Sequence, residues 1–228
     1  ALRLSLVQHK SFAVALTGVQ KERTISDAFL QSGSGETLVD MMALNLIIGS
    51  GGVLSHAPRR SQSFRMMIDA FLPEGITNIA VDSIFMMPHL GVLATIHPKA
   101  ANEVFQKDCL VHLGTCIAPV GPARHDQEVL EVDMALPDGT RLRETLRFGE
   151  LRLVKVPYGP KVPVTLKPQK GLDVGAGEGQ LLSTEVTGGV VGIVLDARGR
   201  RPFEMPTQPA ERVRRLQTWA KAMDEYPE

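Results

Sequence analysis

Cysteine is scarce: the 228 residues contain two, Cys109 and Cys116, seven positions apart with no paired Cys or His motif around them. That excludes a disulfide framework and a zinc site, and both read as core thiols. Net charge is lacking too, since 25 Lys and Arg stand against 25 Asp and Glu. No global field therefore favours nucleic acid or an anionic membrane, and any anion site must be local. No run approaches the ~18 continuous apolar residues that a membrane span needs. The opening, ALRLSLVQHK, lacks the basic stretch, apolar core and cleavage site of a signal peptide, so the expected compartment is the cytoplasm. The six histidines, His9, His56, His89, His97, His112 and His125, show no HxxxH or HxH spacing, and no metal site is expected. An initiator Met is also missing: the chain opens at Ala1 inside a helix-like pattern of Leu2, Leu4 and Leu6, the expectation for part of a longer protein.

What is present suits one large or two small domains with a proper core, because 43% of residues are hydrophobic and 22% charged. From Phe12 to Leu38 short apolar runs alternate with turn residues such as Gly33-Ser34-Gly35, which predicts short strands. The run Leu44–Ile48 then ends in Gly49-Ser50-Gly51-Gly52, with Ser55 and Pro58 at a helix start and Phe64, Met67, Ile68 and Phe71 at helical spacing. The prediction is a strand ending near Ile48, a turn through Gly49–Gly52 and a helix beginning between Ser55 and Arg59. Pro73 and Gly75 stop that helix. NIAVDSIF reads as the next strand, and LGVLATIHPKAANEVFQK as a helical stretch interrupted at Pro98.

Near Gly114 the character changes. Alternating runs (EVLEVDMAL, RLRETLRF, ELRLVKV, GVVGIVLDARGR) are broken by Pro137-Asp138-Gly139, Tyr158-Gly159-Pro160 and Thr187-Gly188-Gly189. Turns at such short intervals predict a small β sandwich or barrel. The last segment, PAERVRRLQTWAKAMDEY, reads as one helix with Val213, Leu216, Trp219, Ala220 and Met223 inward. The expected organisation is an α/β lobe over 1–118 and a β-rich domain over 119–206, closed by a helix over 207–228.

Two glycine motifs compete for a ligand. In the first, Gly49, Ser50, Gly51 and Gly52 let backbone amides approach a phosphate or adenosine, and the following helix adds partial positive charge. His56, Arg59, Arg60 and Arg65 crowd the entrance of that helix, where the dipole disfavours them without an anionic partner. His56, Arg59 and Arg60 are the candidate anion contacts, and solvation or a pairing with acidic groups on the missing part of the chain is the plain alternative. The second motif, Leu172-Asp173-Val174-Gly175-Ala176-Gly177-Glu178-Gly179, matches the first motif of S-adenosylmethionine-dependent methyltransferases. It fails on context, because a doubly wound sheet needs several further βα units and the chain after Gly179 is short and strand-like. A glycine-rich β turn is expected there. Asp82, at the end of a strand, reads as a cap or a polar site residue, and Ser55 beside His56 reads as no nucleophile pair, since adjacent loop residues rarely face each other.

The segments LNLIIGSGGVLSHAPRR, MMIDAFLPEGIT, AVDSIFMMPHLGVLA, VHLGTCIAPVG, GLDVGAGEGQ and GIVLDARGRRPFEMP, in that order, resemble the C-terminal part of the glutamate mutase L family. That family, also called MutL, contains glutamate (methylaspartate) mutase accessory proteins and is unrelated to the mismatch-repair protein of the same letters. The resemblance implies an actin-like, Hsp70-like ATPase lobe and a reactivase that expels damaged cobalamin from adenosylcobalamin-dependent mutases. It further implies that Gly49, Ser50, Gly51 and Gly52 contact the nucleotide, ATP or ADP with Mg in the full-length protein. The family's first phosphate loop has no counterpart here, so ATPase activity is expected only with the N-terminal half and no nucleotide is expected to bind this part tightly. The implied partners are a cobalamin-dependent mutase and that N-terminal half. The alternative is a pure interaction module whose glycine loop is only a turn.

Overall fold

The structure is a computed structural model and describes residues 1–12 and 39–226. The strands and the Gly33–Gly35 turn expected before Leu38 lie outside the described residues. Helix α1 (Leu2–Phe12) comes first, followed by β1 (Leu46–Gly49), the single-turn helix α2 (Gly52–Ser55) and α3 (Arg60–Phe71). Next are β2 (Gly75–Asp82), α4 (Met87–Ala94), α5 (Pro98–Val104) and a π-helical turn, Phe105–Cys109. The rest is β3 (Leu110–Ala118), β4 (Glu128–Ala135), β5 (Arg141–Arg147), β6 (Leu151–Val154), β7 (Lys161–Pro168), β8 (Leu182–Thr187), β9 (Gly192–Asp196) and helix α6 (Pro209–Ala222). None of the helices among the described residues is long and apolar enough to cross a membrane.

Local chemistry explains most of these boundaries. The main helix begins at Arg60, one residue past the predicted window, because the chain first makes the extra turn α2 and then passes through Pro58. The Gln62 side chain accepts the Arg59 N–H at 3.2 Å and so satisfies a first-turn donor. At the other end Leu72 turns left-handed (φ 47°) and returns its N–H to Ile68, after which Pro73 forbids continuation. Pro98 interrupts the next helical stretch as expected from its missing N–H, and stands in the first turn of α5.

Among the described residues nine strands form two sheets, ordered β1-β2-β3-β9-β6 and β5-β4-β7-β8. In the first, β1 and β2 are parallel, as are β3 and β9, while the pairs β2/β3 and β9/β6 are antiparallel. This sheet does not stop at the expected boundary of 118, since β6 and β9 join it from far beyond. The strands expected to close their own sandwich or barrel from 119 onward are thus divided between two sheets. The physical reason lies in β9, whose five residues are all buried and need cover on both faces.

That cover comes from both sides. On one face, Phe64, Met67 and Ile68 of α3 with Trp219 of α6 and Met223 just beyond it pack on Ile79, Val81, Leu113, Cys116, Leu151 and Val194. On the other, the four-stranded sheet presents Leu130, Val132, Met134, Val164 and Leu166 to Ile117, Ile193 and Leu195. Alternate residues of β3 and β9 serve the two cores, as the two-residue period of a strand requires. The order of layers is helices, five-stranded sheet, four-stranded sheet. Of the residues predicted inward on the C-terminal helix, Trp219 and Met223 are buried whereas Val213 and Leu216 are exposed, because only the last turn of α6 reaches the sheet.

Candidate functional site

The glycine loop lies at the C-terminal end of β1, next to the end of its parallel neighbour β2. Gly49 closes the strand in tight packing: a Cβ would stand 2.7 Å from Leu54 Cδ1 and 2.9 Å from Met67 Sδ, so those side-chain ends would have to shift. Gly51 has φ +108° and ψ 155°, a backbone region that essentially only glycine occupies. Gly52 differs, because a Cβ there would meet nothing within 4 Å. The Gly51 carbonyl accepts the N–H groups of Leu54 and Ser55 at 3.0 and 2.9 Å, which turns the chain directly into α2.

Asp82 locks this loop from the end of β2. Its carboxylate accepts the Ser50 hydroxyl at 3.2 Å and the N–H groups of Met86 and Met87 at 3.1 and 2.8 Å, and its carbonyl accepts the Ser55 hydroxyl at 2.6 Å. One buried residue thereby fixes the glycine loop, α2 and the start of α4 together. Burial by itself raises an Asp pKa, but the bonds from Met87, Met86 and Ser50 prevail and hold Asp82 below its ordinary value, so it stays a carboxylate. Of the two roles read for Asp82 in the sequence, the structure shows the cap.

Two clefts flank the loop. Ser50, Gly51, Gly52 and Val53 line one of about 600 Å³ together with Arg3, Met66 and Asp69. Gly52, Val53 and His56 line another of about 820 Å³, closed by Arg65, Glu225 and Tyr226. Arg59 and Arg60 line neither. They face a third cleft, of about 660 Å³, that none of the four loop residues reaches.

The anionic partner that this cluster of cations demands is the chain's own C-terminal end. Arg59 donates to the Asp224 carbonyl and carboxylate at 3.1 and 3.2 Å, and Arg65 grips both Glu225 oxygens at 3.1 and 3.0 Å. Arg60 donates to the Ser55 carbonyl at 2.7 Å instead. The sequence points these cations to a ligand, to solvent or to acidic groups on a missing part of the chain, and does not identify Asp224 and Glu225, which lie more than 150 positions away. Nor does the sequence point to a buried polar cluster in which Asp196 is paired with Arg198 and Arg200, and Arg198 reaches Asp69 at 2.6 Å.

Residues 1–109 match the family model described as MutL protein. That stretch is similar to the MutL family. Nothing among curated proteins or solved structures matches the chain. The match ends one residue before β3, so the segments VHLGTCIAPVG, GLDVGAGEGQ and GIVLDARGRRPFEMP lie beyond it. The MutL segment carries the glycine loop and Asp82 but only two described strands of the five-stranded sheet. Its Phe64, Met67 and Ile68 are covered because β3, β9 and β6 complete that sheet.

The second glycine motif lies outside the MutL segment and is built from turns. Asp173 Oδ1 accepts the N–H groups of Gly175 and Gly177 at 2.7 and 2.9 Å, and the chain runs on into β8 without a helix. Among the described residues no group of His, Cys, Asp and Glu is arranged to hold a metal ion. Both cysteines are buried, and burial pushes the Cys116 thiol up to about 12 and raises Cys109 as well, which disfavours the thiolate form.

Proposed function

We propose that the chain is the C-terminal portion of an ATP-dependent reactivating chaperone, cytoplasmic, that serves an adenosylcobalamin-dependent mutase of the glutamate mutase type. The match of residues 1–109 to the MutL family model carries this reading. The site geometry supports it: the glycine loop opens at the carboxyl end of the parallel pair β1/β2, the place where α/β sheets take ligands. The adjoining cleft of about 600 Å³ lies within the range of small-molecule sites, and the open space at Gly52 lets a ligand approach the backbone.

In this reading the fold around β1 and β2 is part of an actin-like lobe, and Gly49, Ser50, Gly51 and Gly52 hold the adenosine side of ATP or ADP. This chain's contribution is a loop kept rigid by Asp82 against that nucleotide. The phosphate cradle and the Mg site are supplied by the N-terminal half, so hydrolysis requires both halves. Nucleotide-driven rearrangement then releases damaged cobalamin from the mutase.

An interaction-module reading draws on a separate observation. From Ser83 to Pro98 the chain has no Lys, Arg, Asp or Glu, and Ile84, Phe85, Val92 and Ile96 stand exposed around α4. A docking face of that kind serves a chaperone equally well, so nucleotide dependence separates the two readings. The test loads the mutase with inactive cobalamin and follows its release on adding the full-length protein. Release that requires ATP supports the chaperone reading. Release at the same rate without ATP, or no release at all, overturns it.

A further inference from the structure

The third cleft, beside the start of α3, has the composition of an anion site that the glycine loop does not use. It is lined by three cations, Arg59, Arg60 and Lys155, against a single carboxylate, Asp224. That carboxylate already sits between two of them, 3.0 Å from Lys155 Nζ and 3.2 Å from Arg59 Nη1. Its main chain is held as well, the carbonyl accepting Arg59 at 3.1 Å and the Ser61 hydroxyl at 3.2 Å. Asp224 thus behaves as a bound anion supplied by the chain itself.

Three features show what would replace it. The carboxylate satisfies one positive charge of three, which leaves the cleft suited to a second negative charge. The pairs are solvent-exposed, with 53% of the Asp224 side chain and 73% of the Lys155 side chain accessible, so they are weak and readily exchanged. The remaining wall is apolar (Leu153, Val156, Pro157, Met223), with Tyr158 stacked on His112 at 4.3 Å between ring centres and 6° between planes. That stack fixes an aromatic surface at the edge of the cationic group, and Arg60 is pre-positioned by its bond to the Ser55 carbonyl.

We infer that this cleft binds a phosphate monoester carrying an aromatic or apolar group, and that Asp224 is its resting occupant. A dianion engages Arg59, Arg60 and Lys155 together, which a monoanion cannot do equally. The site stands or falls apart from the chaperone reading, because none of the glycine-loop residues lines it.

The experiment titrates the whole 228-residue chain with phenyl phosphate and follows backbone amide resonances. Saturable shifts at Ser61, Tyr158 and Gly189 are expected, with benzoate binding more weakly. Lys155→Ala, at an exposed position, should lower the affinity about tenfold. Asp224→Asn, which removes the internal competitor, should raise it at least about threefold. Gly52→Asp should leave it unchanged. Shifts centred on Gly51–Val53, no saturable binding, an affinity indifferent to Lys155→Ala, or weaker binding by Asp224→Asn would each overturn the proposal.

Discussion

Arg198 and Asp196, two positions apart at the end of β9, form a two-pronged pair at 2.8 Å through both carboxylate oxygens, and neither side chain reaches solvent. Arg200 shares the same carboxylate at 2.8 Å, and the Arg198 guanidinium lies 4.9 Å from the Trp219 ring centre on α6. With Asp69 this ties β9 to α3 and to the C-terminal helix.

Removing one member of such a cluster leaves buried charge without compensation. Asp196→Asn should therefore cost about 3–5 kcal/mol of folding stability in urea titration. Glu185→Gln, which breaks the exposed pair with Lys161, is expected to change stability by no more than about 0.5 kcal/mol. Equal effects of the two substitutions would show that the buried cluster is not structural.

The same carboxylates set the acid limit. Burial opposes ionisation of Asp196, but Arg198 and Arg200 attract the charged form strongly and hold its pKa well below the ordinary 3.8; Asp82 is lowered as well. A depressed folded-state pKa stabilises the protein above the unfolded value, and that stability is lost as the pH falls through the folded value. Glu225 works oppositely: burial raises its pKa despite Arg65, so its contribution is present at low pH and lost as the pH rises through its folded value. Thermal melts should show a steep drop in Tm below about pH 4, and Asp196→Asn should flatten it. A Tm unchanged from neutral pH down to about pH 3 would contradict this.

How much of this was legible beforehand divides along the range of the interactions. The strand, glycine loop and helix around Gly49–Gly52 could be read because an apolar run, turn residues and helical spacing follow one another within a short window. Pro98 and Pro73 acted as local punctuation in the same way. The union of β3 with β9 across 118 could not be read, because strand pairing depends on which faces need cover and leaves no local trace. Asp196, Arg198 and Arg200 look in sequence like a solvated charged stretch, and only the packing of Trp219 and α3 over them makes them a buried cluster. The cations at Arg59 and Arg65 were legible as needing an anion, but nothing local identified that anion as Asp224 and Glu225.

Asp82 offers a test of loop rigidity. Asp82→Ala leaves the Met86 and Met87 N–H groups and the Ser50 hydroxyl without their acceptor, which should cost about 2–4 kcal/mol. Hydrogen exchange should speed up in the Gly49–Ser55 loop and in the first turn of α4, more than elsewhere. A uniform increase over the whole chain would mean that Asp82 only stabilises the core and does not hold the loop.

The central claim concerns the glycine loop, and equilibrium binding of labelled ATP tests it most directly. Gly52→Asp is the appropriate variant, since its side chain enters open space without backbone strain, whereas a substitution at Gly51 would distort a φ of +108°. The samples are the full-length protein, the same protein carrying Gly52→Asp, and this 228-residue chain. The account predicts that the full-length protein binds, that Gly52→Asp abolishes binding while the melting temperature stays unchanged, and that the chain alone binds weakly or not at all. Equal binding by wild type and Gly52→Asp, or tight binding by the chain alone, would contradict it.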